Sequence, residues 1–168
     1  MTLPRFELTT FSQPVDGRTD VVDALTKTGV PKSGVGRAYI AAGELTRITL
    51  PDRGRLICFG KSGLDDDICV DPSTGEVLQV VDGADQHLVN STIGQFVESV
   101  KAVIGMFPYY DTSDSGFESG QKVADRIREA ITRIDPAATE PDTFWETFVQ
   151  DVAVGDYSTA DVVKDHSR

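Results

Sequence analysis

The chain has 168 residues, of which 39% are apolar and 26% charged, and its net charge is −11. That length fits one domain able to bury about 70% of the surface its unfolded form exposes, and the ordinary apolar share excludes wholesale disorder. No apolar run approaches the ~18 residues of a membrane span, and "MTLPRFELTT" lacks the basic and apolar regions of a secretory leader, so the expectation is a cytoplasmic protein with reduced cysteines and no membrane partner.

The elements follow in chain order. "TDVVDALTKTGVP", residues 19–31, offers Thr19 or Asp20 as a cap, apolar Val21, Val22 and Leu25, then Gly29 and Pro31 as stop signals: a short helix. "RAYIAAG", "ELTRITL", "GRLICFG", "DICVD" and "EVLQVV" read as successive strands, parted by Gly43, by the turn Pro51–Gly54 and by "DPSTGE". This is a meander. From "VNSTIGQFVESVKAVIGMF" the period changes: Ile93, Phe96, Val97, Val100, Val103 and Ile104 fall on one helical stripe behind the capping pair Thr92 and Gln95. A second stripe, Val123, Ile127, Ala130, Ile131 and Ile134, ends at Asp135-Pro136, and a third helix carries Phe144, Trp145, Phe148, Val149 and Val152 as far as Gly155. The polar tail after Tyr157 is expected to fray.

The fold class is therefore α+β in a single domain, residues 1–168, with the first ~18 and last ~10 residues peripheral. A mostly antiparallel central sheet from residues 37–90 is flanked by an N-terminal helix and by helices near 92–106, 117–134 and 142–153. Phe96, Ile127, Trp145 and Phe148 are expected in the core.

The charge is uneven. Residues 1–60 carry a net +2, residues 61–120 a net −9 and residues 121–168 a net −4. A field of one sign repels phosphate backbones and steers cationic partners, which argues against direct nucleic-acid binding.

The densest chemistry lies in "CFGKSGLDDDICVDPSTGEV", residues 58–77. A Walker loop needs four residues between its first glycine and Gly-Lys-Ser, but Gly54 and Gly60 are separated by five and "GLDDD" starts no helix. An EF-hand counted from Asp65 puts Cys69 and Val70 where an oxygen ligand and the turn glycine belong. A hairpin accounts for more. Reversal around residues 63 and 64 sets Cys58 opposite Cys69, Ile57 opposite Val70 and Phe59 opposite Ile68, with one face wholly apolar. The two thiols then read as small buried side chains, with no CxxC and no nearby histidine to imply a metal.

Catalysis finds little support. With His87 on a strand and His166 in the tail, a nucleophilic dyad would rest on His87 alone, and "SGQK" at 119–122 lacks the companions of a Ser-x-x-Lys site. The sequon at Asn90 reads as a shaped strand-to-helix corner. No catalytic residue, cofactor or metal site is expected.

"LICFGKSGLDDDICVDPSTGEVLQVV", followed by "LVNSTIGQFVESV" and "IDPAATEPDTFWETFVQDV", resembles the SUKH superfamily of bacterial immunity proteins, specifically its fourth group, SUKH-4. The likeness runs from Leu25 to Val152. It implies a central sheet flanked by helices and a non-enzymatic antidote that binds a cognate toxin of a polymorphic toxin system, a nuclease or nucleotide deaminase. An acidic inhibitor suits a partner with a basic surface. The expected recognition surface combines Asp65, Asp66 and Asp67 with Tyr109, Tyr110, Asp111 and Asp114, carboxylates around aromatic anchors, on a monomer or weak oligomer. The alternatives are a ligand-binding module or enzyme whose cleft is lined by Ser62, Asp65, His87 and Tyr109, and an intracellular scaffold.

Overall fold

The computed structural model describes residues 2–110 and 117–167. Five strands run antiparallel in strict sequence order: β3 (Ile40–Leu50), β4 (Gly54–Ser62), β5 (Asp66–Val70), β6 (Val77–Val81) and β7 (Asp85–Asn90). Ahead of them, β1 (Leu8–Thr9) pairs with β2 (Val30–Pro31), and α1 (Thr19–Asp23) continues into a wider π-helical turn, Ala24–Thr28, stopped at Gly29. After the sheet come α2 (Ile93–Gly105), α3 (Phe117–Ile134), the 3-10 turn Pro136–Thr139, α4 (Phe144–Val154) and α5 (Thr159–His166). This is the α+β plan that the periodicities predict. Each long-helix boundary falls within two residues of its expected place.

One face of the sheet packs against the helices. Ile57, Phe59, Ile68, Val70, Val77 and Val89 meet Phe96, Val100, Ile127, Ile131, Trp145 and Phe148 in the main core. Tyr39, Phe59 and Phe96 form an edge-on cluster there, with centroids 5.1 to 6.3 Å apart, the geometry that ring quadrupoles favour. The opposite face holds a second apolar cluster of the sheet's own side chains, Leu50, Leu56, Cys58, Cys69, Leu78 and Val80. The hairpin thus has two apolar faces, where the sequence reading expected one.

Three further local differences have physical causes. "RAYIAAG" and "ELTRITL" join in one strand, whose pairing with β4 shifts register between Ala41 and Thr46. Gly43 marks an irregularity there, not a break. The outer edge of β3 is covered at Leu45 by the Gln13 side-chain amide, which accepts from the Leu45 N–H and donates to its carbonyl (2.5 and 3.0 Å), occupying groups that would otherwise invite another strand. The tail after Tyr157 does not fray. Ser158 caps α5, Val162 is buried, Arg37 pairs with Asp165 at 3.0 Å, and the Gly36 N–H donates to His166 Nε2.

The hairpin register holds for Ile57 with Val70 and Cys58 with Cys69, then slips by one residue: Ile68 faces Gly60, not Phe59. A bulge absorbs Phe59, which stays in the main core. The next position has no room for a side chain, because a Cβ on Gly60 would lie 2.5 Å from a Tyr39 ring carbon and 2.9 Å from the Ile40 carbonyl oxygen. Beyond the bulge the parity of the strand is inverted. Lys61 and Asp67 form one cross-strand pair and Ser62 and Asp66 the next, so consecutive aspartates point to opposite faces. Both cysteines are free and buried. Cys69 keeps its proton, its thiol pushed up by the hydrogen bond to Cys58 and then by burial.

Candidate protein-binding site

The segments that carry the family resemblance converge at one buried corner. Asn90 ends β7, Ser91 and Thr92 open α2, Asp135 follows α3, and Trp145 lies in the first turn of α4. Asp135 is 2% exposed; its carboxylate accepts from the Ser91 N–H (2.6 Å), the Ser91 hydroxyl (2.9 Å) and the Asn90 side-chain amide (3.2 Å). Asn90 also donates to Ser99 Oγ and accepts from Trp145 Nε1 at 2.9 Å. Thr92 caps α2 by accepting from the Gln95 N–H, while the Gln95 amide reaches the Ile134 carbonyl. Four elements are tied by one connected set of satisfied polar groups, the arrangement that specifies a unique packing.

The "DPSTGE" turn is spent in the same way. Asp71 Oδ1 accepts from the Ser73 and Thr74 N–H groups, Gly75 sits at φ +83°, and Arg53 pairs with Glu76 at 2.8 Å and Asp71 at 3.6 Å. These motifs hold the chain in shape.

The acidic tip differs. Alternation along β5, with Ile68 and Val70 in the main core, puts Asp66 on the helix side, where it accepts from Gln79 at 3.3 Å, and Asp67 on the far face, where the bulged β4 brings Lys61 to it at 2.6 Å. Asp65 lies exposed in the turn beside Leu64, which is 81% exposed. Between this hairpin and α4 a cleft of about 250 Å³ opens, lined by Asp66 and Asp151 together with Gln79, Phe148 and Tyr157. Burial, reinforced by Asp82, Asp65 and Asp67, holds the Asp66 carboxyl above its ordinary value; burial and then Asp156 do the same at Asp151. Among the described residues no Lys, Arg or His lies in ion-pairing range of Asp65, Asp66, Asp82, Asp151 or Asp156.

The expected surface is therefore only partly brought together. Asp65 and Asp66 stand at the tip, and Asp67 is turned away and already paired. Tyr109 is 3% exposed, its ring against Phe107 and Phe148 and its hydroxyl donating to the Val103 carbonyl at 2.7 Å. It closes the end of α2 and its ring is not offered to a partner. Tyr110 is half-buried and donates to the Val152 carbonyl at the end of α4. Asp111 and Asp114 lie outside the described residues. Of the alternative cleft, Ser62 lines the opening and Asp65 does not, whereas His87 bonds the Asp142 carbonyl through Nδ1 at 2.9 Å and helps dock the loop before α4. Sequence reasoning missed Asp82, Asp151 and Asp156, which lie 16 or more residues from the tip in sequence and follow no motif.

Comparison with known proteins gives one finding about family. The model of the SUKH-4 immunity proteins matches residues 3–151. The chain belongs to that family. No curated protein and no solved structure matches it. The SUKH-4 match spans every element from β1 to the greater part of α4, including the buried corner and the acidic tip. Among the described residues no group of three or more His, Cys, Asp or Glu side chains is placed to hold a metal ion, and no helix is long and apolar enough to cross a membrane.

Proposed function

We propose that this SUKH-4 protein acts without catalysis, binding a cognate toxin domain through the acidic surface formed by the β4–β5 hairpin tip and the facing end of α4. The observation that carries this reading is the set of carboxylates from separate elements, Asp65, Asp66, Asp82, Asp151 and Asp156, that gather around one region and form no ion pair among the described residues. Clustered like charges cost folding free energy, and they are repaid when a complementary surface arrives. A nuclease or nucleotide deaminase, whose cleft must attract phosphate, presents such a surface. The −9 carried by residues 61–120 would speed its capture by steering.

Leu64 supports the same reading, since a large apolar side chain at a hairpin tip flanked by carboxylates has the make-up of an interface centre with a charged rim. The test is coexpression with a candidate cognate toxin domain. Protection of the host and copurification as a complex are expected, and a toxin that kills unchanged in the presence of folded protein would refute the assignment. A thermal-shift panel of nucleotides and metals should leave Tm unmoved; a large rise would favour a ligand site instead.

A further inference from the structure

The cleft between the hairpin and α4 has features that a plain acidic surface lacks. Asp66 from β5 and Asp151 from α4 both line it, together with Tyr157 and Gln79. Tyr157 is fixed against Phe148 with ring centroids 4.6 Å apart, so the floor is a rigid aromatic surface. Arg37 borders the opening, but its guanidinium is engaged with Asp165 on α5 at 3.0 Å. It does not neutralise the cleft. At about 250 Å³ the space falls below the ~300 Å³ at which pockets for cofactor-sized ligands begin, and suits one inserted side chain.

We infer that this cleft is a receptor for a single guanidinium side chain projecting from the partner. The inference rests on the toxin-binding reading above and names the group that the partner contributes at its centre. A guanidinium is planar and stacks on an aromatic ring, and its fork of donors serves acceptors on two sides at once; an ammonium is a compact point charge that uses this geometry less well. Both carboxyls sit above their ordinary values, first through burial and then through neighbouring carboxylates.

The probe is Nα-acetyl-arginine amide, titrated into the full chain while backbone amide resonances are followed by NMR, with Nα-acetyl-citrulline amide as the neutral isostere. Saturable shifts confined to residues around Gln79, Thr147 and Tyr157 are expected with the arginine compound and none with citrulline. Affinity should fall about tenfold in each of Asp66→Asn and Asp151→Asn, since each removes one charge-assisted acceptor. Both variants should keep the wild-type spectrum elsewhere. Absence of saturable shifts, equal shifts with citrulline, or shifts that survive both substitutions would overturn the inference. The two readings fail separately: toxin binding that needs the hairpin carboxylates while the cleft stays silent leaves the proposed function standing, and a titrating cleft on a chain that binds no toxin does the reverse.

Discussion

The Asn90–Asp135–Trp145 corner and the Asp65–Asp66 tip are both rich in polar groups, yet they spend them oppositely. At the corner each side-chain donor or acceptor meets another part of the chain, and Asp135 alone takes three hydrogen bonds. At the tip Asp65 and Asp66 form no ion pair with any described residue, and Asp66 takes only the Gln79 amide. The contrast is the one expected if the corner serves the fold and the tip serves a partner. On that reading the family's most visible motifs do not mark its working surface. In this chain "VNST", "IDP" and "FW" are the parts of one internal joint.

The sharpest way to break the comparison is to cut the corner. Replacing Trp145 by Ala removes a large ring packed against Phe144 and Phe148, together with the partner of Asn90 Oδ1. A loss of about 3–5 kcal/mol is expected in urea unfolding. A loss below 1 kcal/mol would mean that the corner is not a structural joint.

Asp135→Ala comes next. It strands the Ser91 N–H and the Asn90 amide inside the protein, and each buried donor left unpaired costs about 1–3 kcal/mol. Asp135→Asn, which keeps one acceptor, should lie between this variant and the wild type by the same measurement.

The tip should respond in the other direction. Burial and neighbouring carboxylates raise the Asp66 and Asp151 carboxyls, so the folded protein holds these protons more tightly than the unfolded chain. The raised values favour folding at low pH, and that contribution is lost as pH rises through the interval from the unfolded to the folded value. At neutral pH both groups are charged and the cost is fully present. Asp66→Asn and Asp151→Asn should therefore raise Tm slightly at pH 7, with the gain fading as pH falls through the carboxylate range, where the wild-type side chains also become neutral. Both groups are partly solvated, so the effect is small. A Tm that falls at pH 7 would show that these carboxylates serve stability after all.

Legibility in the sequence follows the same division. Helical stripes, turn chemistry and the pairing of Cys58 with Cys69 could be read directly, because each depends on neighbours a few residues apart. The bulge at Phe59 could not, since it depends on how β4 pairs with β5. That one displaced residue decides which β4 side chains, Lys61 and Ser62, face Asp67 and Asp66. Tyr109 was misplaced for a related reason: a tyrosine beside a helix end can face outward or close the end, and only the position of Phe148 and α4 selects the second. Asp151 was legible as a helix residue but not as a lining residue of the same cleft as Asp66, 85 positions away in sequence. Val162 likewise gave no hint, from a polar tail, that it anchors α5.

The central claim, that recognition lies at the acidic tip and not at the motif corner, is tested most directly by association kinetics with the cognate toxin domain. The rate constant would be measured by stopped flow across ionic strength for the wild type and for the variant with Asp65, Asp66 and Asp67 all changed to Asn. Charges at an interface act chiefly through steering, and salt screens them over about 10 Å at 0.1 M. The account predicts slower association at low salt, a flatter salt dependence, and convergence with the wild type at high salt, with folding stability preserved. An unchanged association rate at low salt would contradict it and place the recognition surface on another face of the protein.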